Sequence, residues 1–301
     1  MSRATVLPPA PGAPPRPAPP SKARRTVGMV VLAIIILACF WLVESRWSRL
    51  PGFPADFARY LGFMSEGVLT DPTDETIAGY WRNALALMIE SLHMAWIGTV
   101  IGAMFSLPMG FLAARNVSPR VVVLASRAIL NAIRAIPELI WAIMIMLPIF
   151  GLGPVSGAMA LGINSIGTLG KLTSEVIEGI DPGPVEAARS SGARQLQILR
   201  WGTLPQVMPE VVAFWLYRFE INIRAGAILG VVAAGGIGSL LSSVLGRRLW
   251  ERAGIMLAVI VLVTIAVDLV SACIRKRIIA GPSGDASEEL DDAGTHAGAY
   301  V

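Results

Sequence analysis

The sequence predicts an all-α integral membrane protein of six spans, and three observations lead there. Of its 301 residues, 54% are hydrophobic and only 15% charged, against a charged share of roughly 25% in soluble domains. Mean hydropathy is +0.63, and apolar runs near the ~20 residues that cross a bilayer core recur along the chain. The basic residues fall mostly at the ends of these runs, where the positive-inside bias and anionic lipid account for them.

Residues 1–25 hold eight prolines between Pro8 and Pro20 and close with Lys22, Arg24 and Arg25, the composition of a disordered cytoplasmic tail. The apolar run that follows has no small-x-small cleavage site after it, and Trp41 and Trp47 suit a membrane interface, so 26–44 reads as a retained first span. Residues 45–82 are polar, turn-rich and mixed in sign, and are placed outside the cytoplasm. Asn83 to Ala114 forms the second span, with Gly98, Gly102 and Gly110 as close-packing surfaces and Pro108 as a bend. Val121 to Phe150 makes a tilted or broken third span with Pro137 inside it. After the break at Gly151 to Pro154 come the fourth span, Val155 to Ile177, the fifth, about Val211 to Leu241, and the sixth, about Trp250 to Ile274. Arg275, Lys276 and Arg277 then stop the chain on the cytoplasmic face, and 276–301 is read as a cytoplasmic tail. Arg247, Arg248 and Arg252 fall on the outer side in this topology, where the charge bias would not choose them.

Between the fourth and fifth spans lies a polar island, 181–206, reading DPGPVEAARSSGARQLQILRWGTLPQ. Asp181 is placed to cap a helix whose first turn accepts Pro182 and Pro184. Gly192 stands where a tight turn wants positive φ. A second short helix with Leu196, Ile198 and Leu199 is expected to end near Gly202 and Pro205. By spacing alone this is a helix-turn-helix or an ordinary loop between spans.

The order Glu186, Ala187, Ala188, then Gly192, then Leu204 and Pro205 resembles the EAA loop of ABC importer permeases, with a departure at Gly202, where the motif has isoleucine. Four further segments, IRAIPELIWA at 133–142, GLGP at 151–154, LGKLTSEVIEGID at 169–181 and YRFEINIRAGAILGVVAAGGIG at 217–238, resemble the permease branch of phosphonate importers. Together these resemblances cover roughly 83–275, so that stretch is expected to be a permease core of five spans. They imply that 181–206 is a cytoplasmic coupling helix docking into a separate ATPase subunit. They also imply a homodimer with two ATPase subunits, a solute-binding protein outside, and a small anion, phosphonate first, as cargo. Phosphate, phosphite or methionine is the alternative cargo. In the phosphonate branch a histidine is common near Asn164. Size agrees with the dimer, since a chain with no second inverted half needs two copies for a two-fold pathway.

Polar groups inside apolar spans cost ~2.5–3.5 kcal/mol each and so line a cavity or pair. Arg134 and Glu138 stand four apart, on one helix face, and Lys171 and Glu175 repeat that spacing, while Arg218, Glu220, Asn222 and Arg224 crowd the first half of the fifth span. Arg134, Glu138, Asn164, Arg218, Glu220 and Arg224 are therefore candidates for an anion path, with ion pairs that hold the bundle as the competing reading. Gly235, Gly236 and Gly238 are candidates for an outer gate, since glycines permit close contact or a re-entrant turn.

Other chemistry finds less support. No GxGD-like aspartate pair, HExxH, or GxSxG with a histidine partner marks an intramembrane enzyme, which stays with a scaffold as the non-transport alternative. GTLGKL at 167–172 is similar to a phosphate loop but has Ser165 for its first glycine and Leu172 in place of Ser or Thr. No cofactor is expected on this chain, and ATP and magnesium belong on partner subunits. His93 and His296 form no metal spacing, Cys39 and Cys273 read as small buried hydrophobes, and His93 reads as a satisfied helix histidine. Neither catalytic nor metal residues are expected. The charge of +4 lacks the basic face and stacking aromatics of a nucleic-acid binder.

Overall fold

The computed structural model describes residues 22–42, 47–70, 75–232 and 234–297, and every regular element among them is helical. Two compact units emerge, the first ending at Phe57 and the second beginning at Ala58. In the first, α1 (Lys22–Leu42) carries a row of exposed apolar side chains from Val27 to Leu42. A short 3-10 turn (Trp47–Gly52) leads into α2 (Phe53–Leu69), where Phe53 stacks on Phe57 at 5.7 Å. Most of the proline-rich tail expected at 1–25 lies outside the described residues, and its last basic residues already belong to α1.

The second unit is built on α3 (Glu75–Ala113) and α7 (Pro154–Glu178), which share the most extensive helix-to-helix contact in the chain. Small residues set their spacing. A Cβ on Gly98 would lie 2.7 Å from the Leu161 Cβ, one on Gly110 would lie 2.5 Å from the Thr173 Cγ2, and one on Gly102 would overlap Ser165. The two backbones therefore approach as closely as membrane helices do when small residues face each other.

Around this pair run α4 (Arg120–Ala135), α5 (Glu138–Trp141), a π-helical turn (Ala142–Met146) and α6 (Leu147–Phe150). Next come α8 (Pro182–Ser190), α9 (Gln195–Gln197), a second π-helical turn (Ile198–Thr203) and α10 (Leu204–Leu229). A 3-10 turn (Gly230–Val232), α11 (Gly236–Gly246) and α12 (Trp250–Ala297) complete the order. Three helices among the described residues are long and apolar enough to cross a membrane, and five if each bent pair counts as one span. α7 is less apolar because its small and hydroxyl side chains face other helices: Ser156, Ser165 and Ser174 are fully buried.

Four local expectations change. Residues 45–82 are largely helical: Tyr60 packs on Trp250 at 4.8 Å, and Gly67 and Gly254 let α2 and α12 meet backbone to backbone, so tertiary packing overrides a turn-rich composition. Arg134 and Glu138 do not share a helix face, because the chain leaves the helix at Ile136 and Pro137 and turns by 87°. The helix after Gly192 does not stop near Gly202; it passes through the π-helical turn into α10, and Pro205 sits in that helix's first turn, where proline is tolerated. Finally, α12 continues beyond the Arg275–Arg277 stop to Ala297, as a long nucleated helix propagates more easily than a new one starts.

Cys273 is exposed on α12 and Cys39 on α1, so neither is the buried hydrophobe expected. His93 is exposed too, with no hydrogen-bond partner among the described residues. All three lie in apolar helices, and apolarity does not tell a lipid-facing side from a core-facing one.

Candidate functional site: a buried polar cluster and a coupling loop

Where α3, α7 and α10 meet, the apolar packing gives way to a cluster built on one hydroxyl. Ser165 donates to the Leu161 carbonyl at 2.6 Å and accepts from Arg218 Nε at 2.9 Å and Asn222 Nδ2 at 3.0 Å. Asn222 uses its other N–H on Thr99 Oγ1 at 2.9 Å, and Thr99 donates to the Ala95 carbonyl. Arg218 and Asn222 stand four apart on α10 and so share a face. Arg218 is only 8% exposed. Among the described residues its one hydrogen bond is through Nε, so both Nη groups retain their donors.

The break before Pro137 borders this cluster. Proline cannot donate to the Ile133 carbonyl one turn back, and that oxygen accepts instead from the Ile136 N–H at 3.4 Å and the Trp141 indole N–H at 3.3 Å. Glu138 opens α5, accepts from Asn164 Nδ2 at 2.6 Å, and lies within electrostatic reach of Arg218. Glu138, Asn164 and Arg218 thus come together from three helices.

The other path candidates lie elsewhere. Glu220 points away from Arg218, since residues two apart face opposite ways on a helix, and pairs with Arg275 of α12 at 3.0 Å. Arg134 and Arg224 are exposed and have no carboxylate partner among the described residues. Lys171 pairs with Glu175 along α7 at 2.9 Å.

In the coupling loop, Asp181 caps α8 by accepting from the Gly183 N–H at 2.9 Å, and Gly192 takes φ +79°. Gln206 closes the loop, accepting from the Asp181 N–H at 3.2 Å and donating to the Gly202 carbonyl at 2.6 Å. Gly202 is buried, and a Cβ there would lie 3.4 Å from the Pro184 carbonyl oxygen. The departure from the EAA pattern thus sits where the π-helical turn packs against Pro184 and Val185 of α8, and a side chain added there would meet α8 at van der Waals distance. Glu186, Ala187 and Pro205 are exposed, Ala188 and Leu204 are half-buried, and Leu196 and Trp201 are 80% and 72% exposed.

At the root of the loop Glu178 ends α7, accepting from the Arg115 backbone N–H at 2.6 Å and from Arg127 Nη2 at 2.5 Å. Burial pushes its carboxyl up, but these donors and the two arginine charges outweigh that and hold it below its ordinary value. Sequence reasoning missed this clamp, as it missed Ser165, Thr99 and Gln206.

Between α10 and α11 the chain turns on Gly235 (φ +84°) and Gly236 (φ +68°). A Cβ on Gly238 would run into the Ala227 carbonyl oxygen. The first N–H groups of α11 are taken by α3: Gly236 donates to Glu90 Oε1 at 3.1 Å and Ile237 to Ser91 Oγ at 3.0 Å.

Residues 106–280, which hold most of these features, match the family described as binding-protein-dependent transport system inner membrane component. The chain belongs to that family. Over 82% of its length it is 38% identical to the phosphite transport system permease protein PtxC of Stutzerimonas stutzeri, covering 86% of that protein. It is 38% identical over 72% of its length to the phosphate-import permease protein PhnE of Mycolicibacterium smegmatis, of which it spans 41%. It is also 43% identical over 40% of its length to a putative cryptic phosphonate transport system permease protein, PhnE2, of Escherichia coli, covering 99% of that protein. In fold it is similar to a chain of the inward-facing MetNI methionine ABC transporter, with TM-score 0.59, 20% identity, and 68% and 99% of the two chains covered. The chain is thus a membrane-embedded permease subunit of an ABC importer, a transport component and not an enzyme.

Proposed function

We propose that this permease passes a small phosphorus oxyanion, phosphonate in the first place, through a path made by two copies of the chain. The observation that carries this reading is Arg218: a guanidinium anchored through Nε, with the Nη fork free to meet an oxyanion. Glu138 and Asn164 border it, and the exposed Arg134 and Arg224 add positive charge to the approach. The relatives named for phosphite, phosphate and phosphonate transport support an oxyanion cargo. Glu220 serves the bundle through Arg275, and Gly235, Gly236 and Gly238 form the outer gate. Glu186, Leu196 and Trp201 face the ATPase subunits, which bind ATP and magnesium, while this chain binds no cofactor. A solute-binding protein docks on the opposite side, and both termini are cytoplasmic.

The test is uptake into proteoliposomes holding the permease, its ATPase and its binding protein. Methylphosphonate, phosphite and phosphate are compared with methionine and glycine betaine. Oxyanion uptake is expected to fall roughly ten- to hundredfold in Arg218→Gln, the loss of one charged hydrogen-bonding group, with the complex still assembled. Preference for methionine or betaine overturns the cargo, and unchanged uptake in the variant overturns the role of Arg218.

A further inference from the structure

At the turn between α3 and α4, on the same side of the bundle as the coupling loop, a cavity of about 480 Å³ is lined by Arg115, Ser118, Arg120, Val123, Leu124 and Arg127. Three arginines and no acidic residue line it. Arg127 is committed to Glu178 and to the Ala113 carbonyl. Arg115 and Arg120 are exposed and make no contact ion pair among the described residues, although the Arg115 charge is felt by Glu178. Apolar surface adjoins the charge, for Val121 and Leu124 on α4 are 78% and 64% exposed.

We propose that this cavity seats the phosphate headgroup of an anionic phospholipid. A phosphate diester takes the arginine forks in two-point contacts, and arginines next to the end of a membrane-spanning helix attract anionic lipid. Val121 and Leu124 open the third span and are exposed where that span meets the bilayer, so the cavity lies beside lipid, which favours a lipid headgroup over free phosphate. The site is distinct from the Arg218 cluster; it rests on the reading that the 181–206 side is the cytoplasmic one only for the leaflet it draws from. Through Arg127 and Glu178 the headgroup sits two contacts from the root of the coupling loop.

Native mass spectrometry of the full chain, released from nanodiscs holding phosphatidylglycerol and phosphatidylcholine, reads the site without requiring transport. Phosphatidylglycerol is expected to stay bound to the wild type in preference to phosphatidylcholine. Retention should fall roughly tenfold in Arg115→Gln/Arg120→Gln and survive in Arg115→Lys/Arg120→Lys. Arg120→Gln alone gives an intermediate loss and serves if the double variant does not fold. Equal retention by wild type and glutamine variants, or equal retention of the two lipids, overturns the proposal. Displacement of phosphatidylglycerol by inorganic phosphate also overturns it, assigning the cavity to a free anion. Failure of the cargo reading would instead appear in the uptake assay, with lipid retention unchanged.

Discussion

Arg218 and Asn222, one turn apart on α10, both donate to the hydroxyl oxygen of Ser165, at 2.9 and 3.0 Å. That oxygen has two lone pairs and both are used, while its hydrogen goes to Leu161. Replacing Ser165 with alanine strands an arginine donor and an amide donor at once, where burial keeps water from replacing the acceptor. Ser165→Ala is expected to destabilise the folded permease by about 1–3 kcal/mol, read as a lower melting temperature in detergent. An unchanged melting temperature would show that the cluster contributes nothing to stability.

Gly192 sets the angle between the two halves of the coupling loop at φ +79°, with open space around it. The obstacle to a side chain there is backbone strain of ~1 kcal/mol or more, not a clash. Gly192→Asp should therefore insert and assemble normally while abolishing stimulated ATPase activity in the complex. Normal stimulation in that variant would sink the coupling role.

Glu90 and Ser91 together hold the first two N–H groups of α11. Losing a helix cap costs about 1 kcal/mol, so Glu90→Ala should speed amide exchange at Gly236 roughly tenfold at most, measured by hydrogen–deuterium exchange. Exchange unchanged from wild type would mean that the turn at Gly235 is held by its packing alone.

The Glu178 clamp has a defined pH dependence. Its carboxyl is held below its ordinary value of 4.5 in the folded chain, so the ionised form is favoured by folding. The stabilisation is complete above the ordinary value and is lost as pH falls through the lowered one. Melting temperatures of wild type and Glu178→Gln should therefore differ at neutral pH and converge as the solution is acidified below about pH 4. A gap that persists at low pH would assign the variant's defect to something other than charge.

What could be read from the chain beforehand divides by range. The local shape of 181–206 was legible because its signals are local: Asp181 caps two residues ahead, and Gly192 marks a backbone conformation by itself. The glycine spacing of α3 also announced a close contact. It did not say that α7 is the partner, or that Ser165 faces Gly102. Ser165 and Thr99 look like small packing residues until the register between helices makes them the acceptors of Arg218 and Asn222. Glu178 and Arg127 are 51 positions apart, and nothing local links them. Arg134 and Glu138 stand four apart yet share no face, because Pro137 breaks the helix between them; spacing of four implies a shared face only along an unbroken helix.

The glycine contact between α3 and α7 has a mechanical consequence. Where Gly98, Gly102 and Gly110 face α7 there is little side-chain bulk to absorb sliding, so the pair is expected to move as one stiff strut while the importer alternates between open sides. Motion is left to the joints: the bend at Pro137, and the paired left-handed glycines at 235 and 236. Spin labels on the solvent ends of α3 and α7 should keep one distance throughout the ATP cycle, whereas a label on α11 should change its distance to α3.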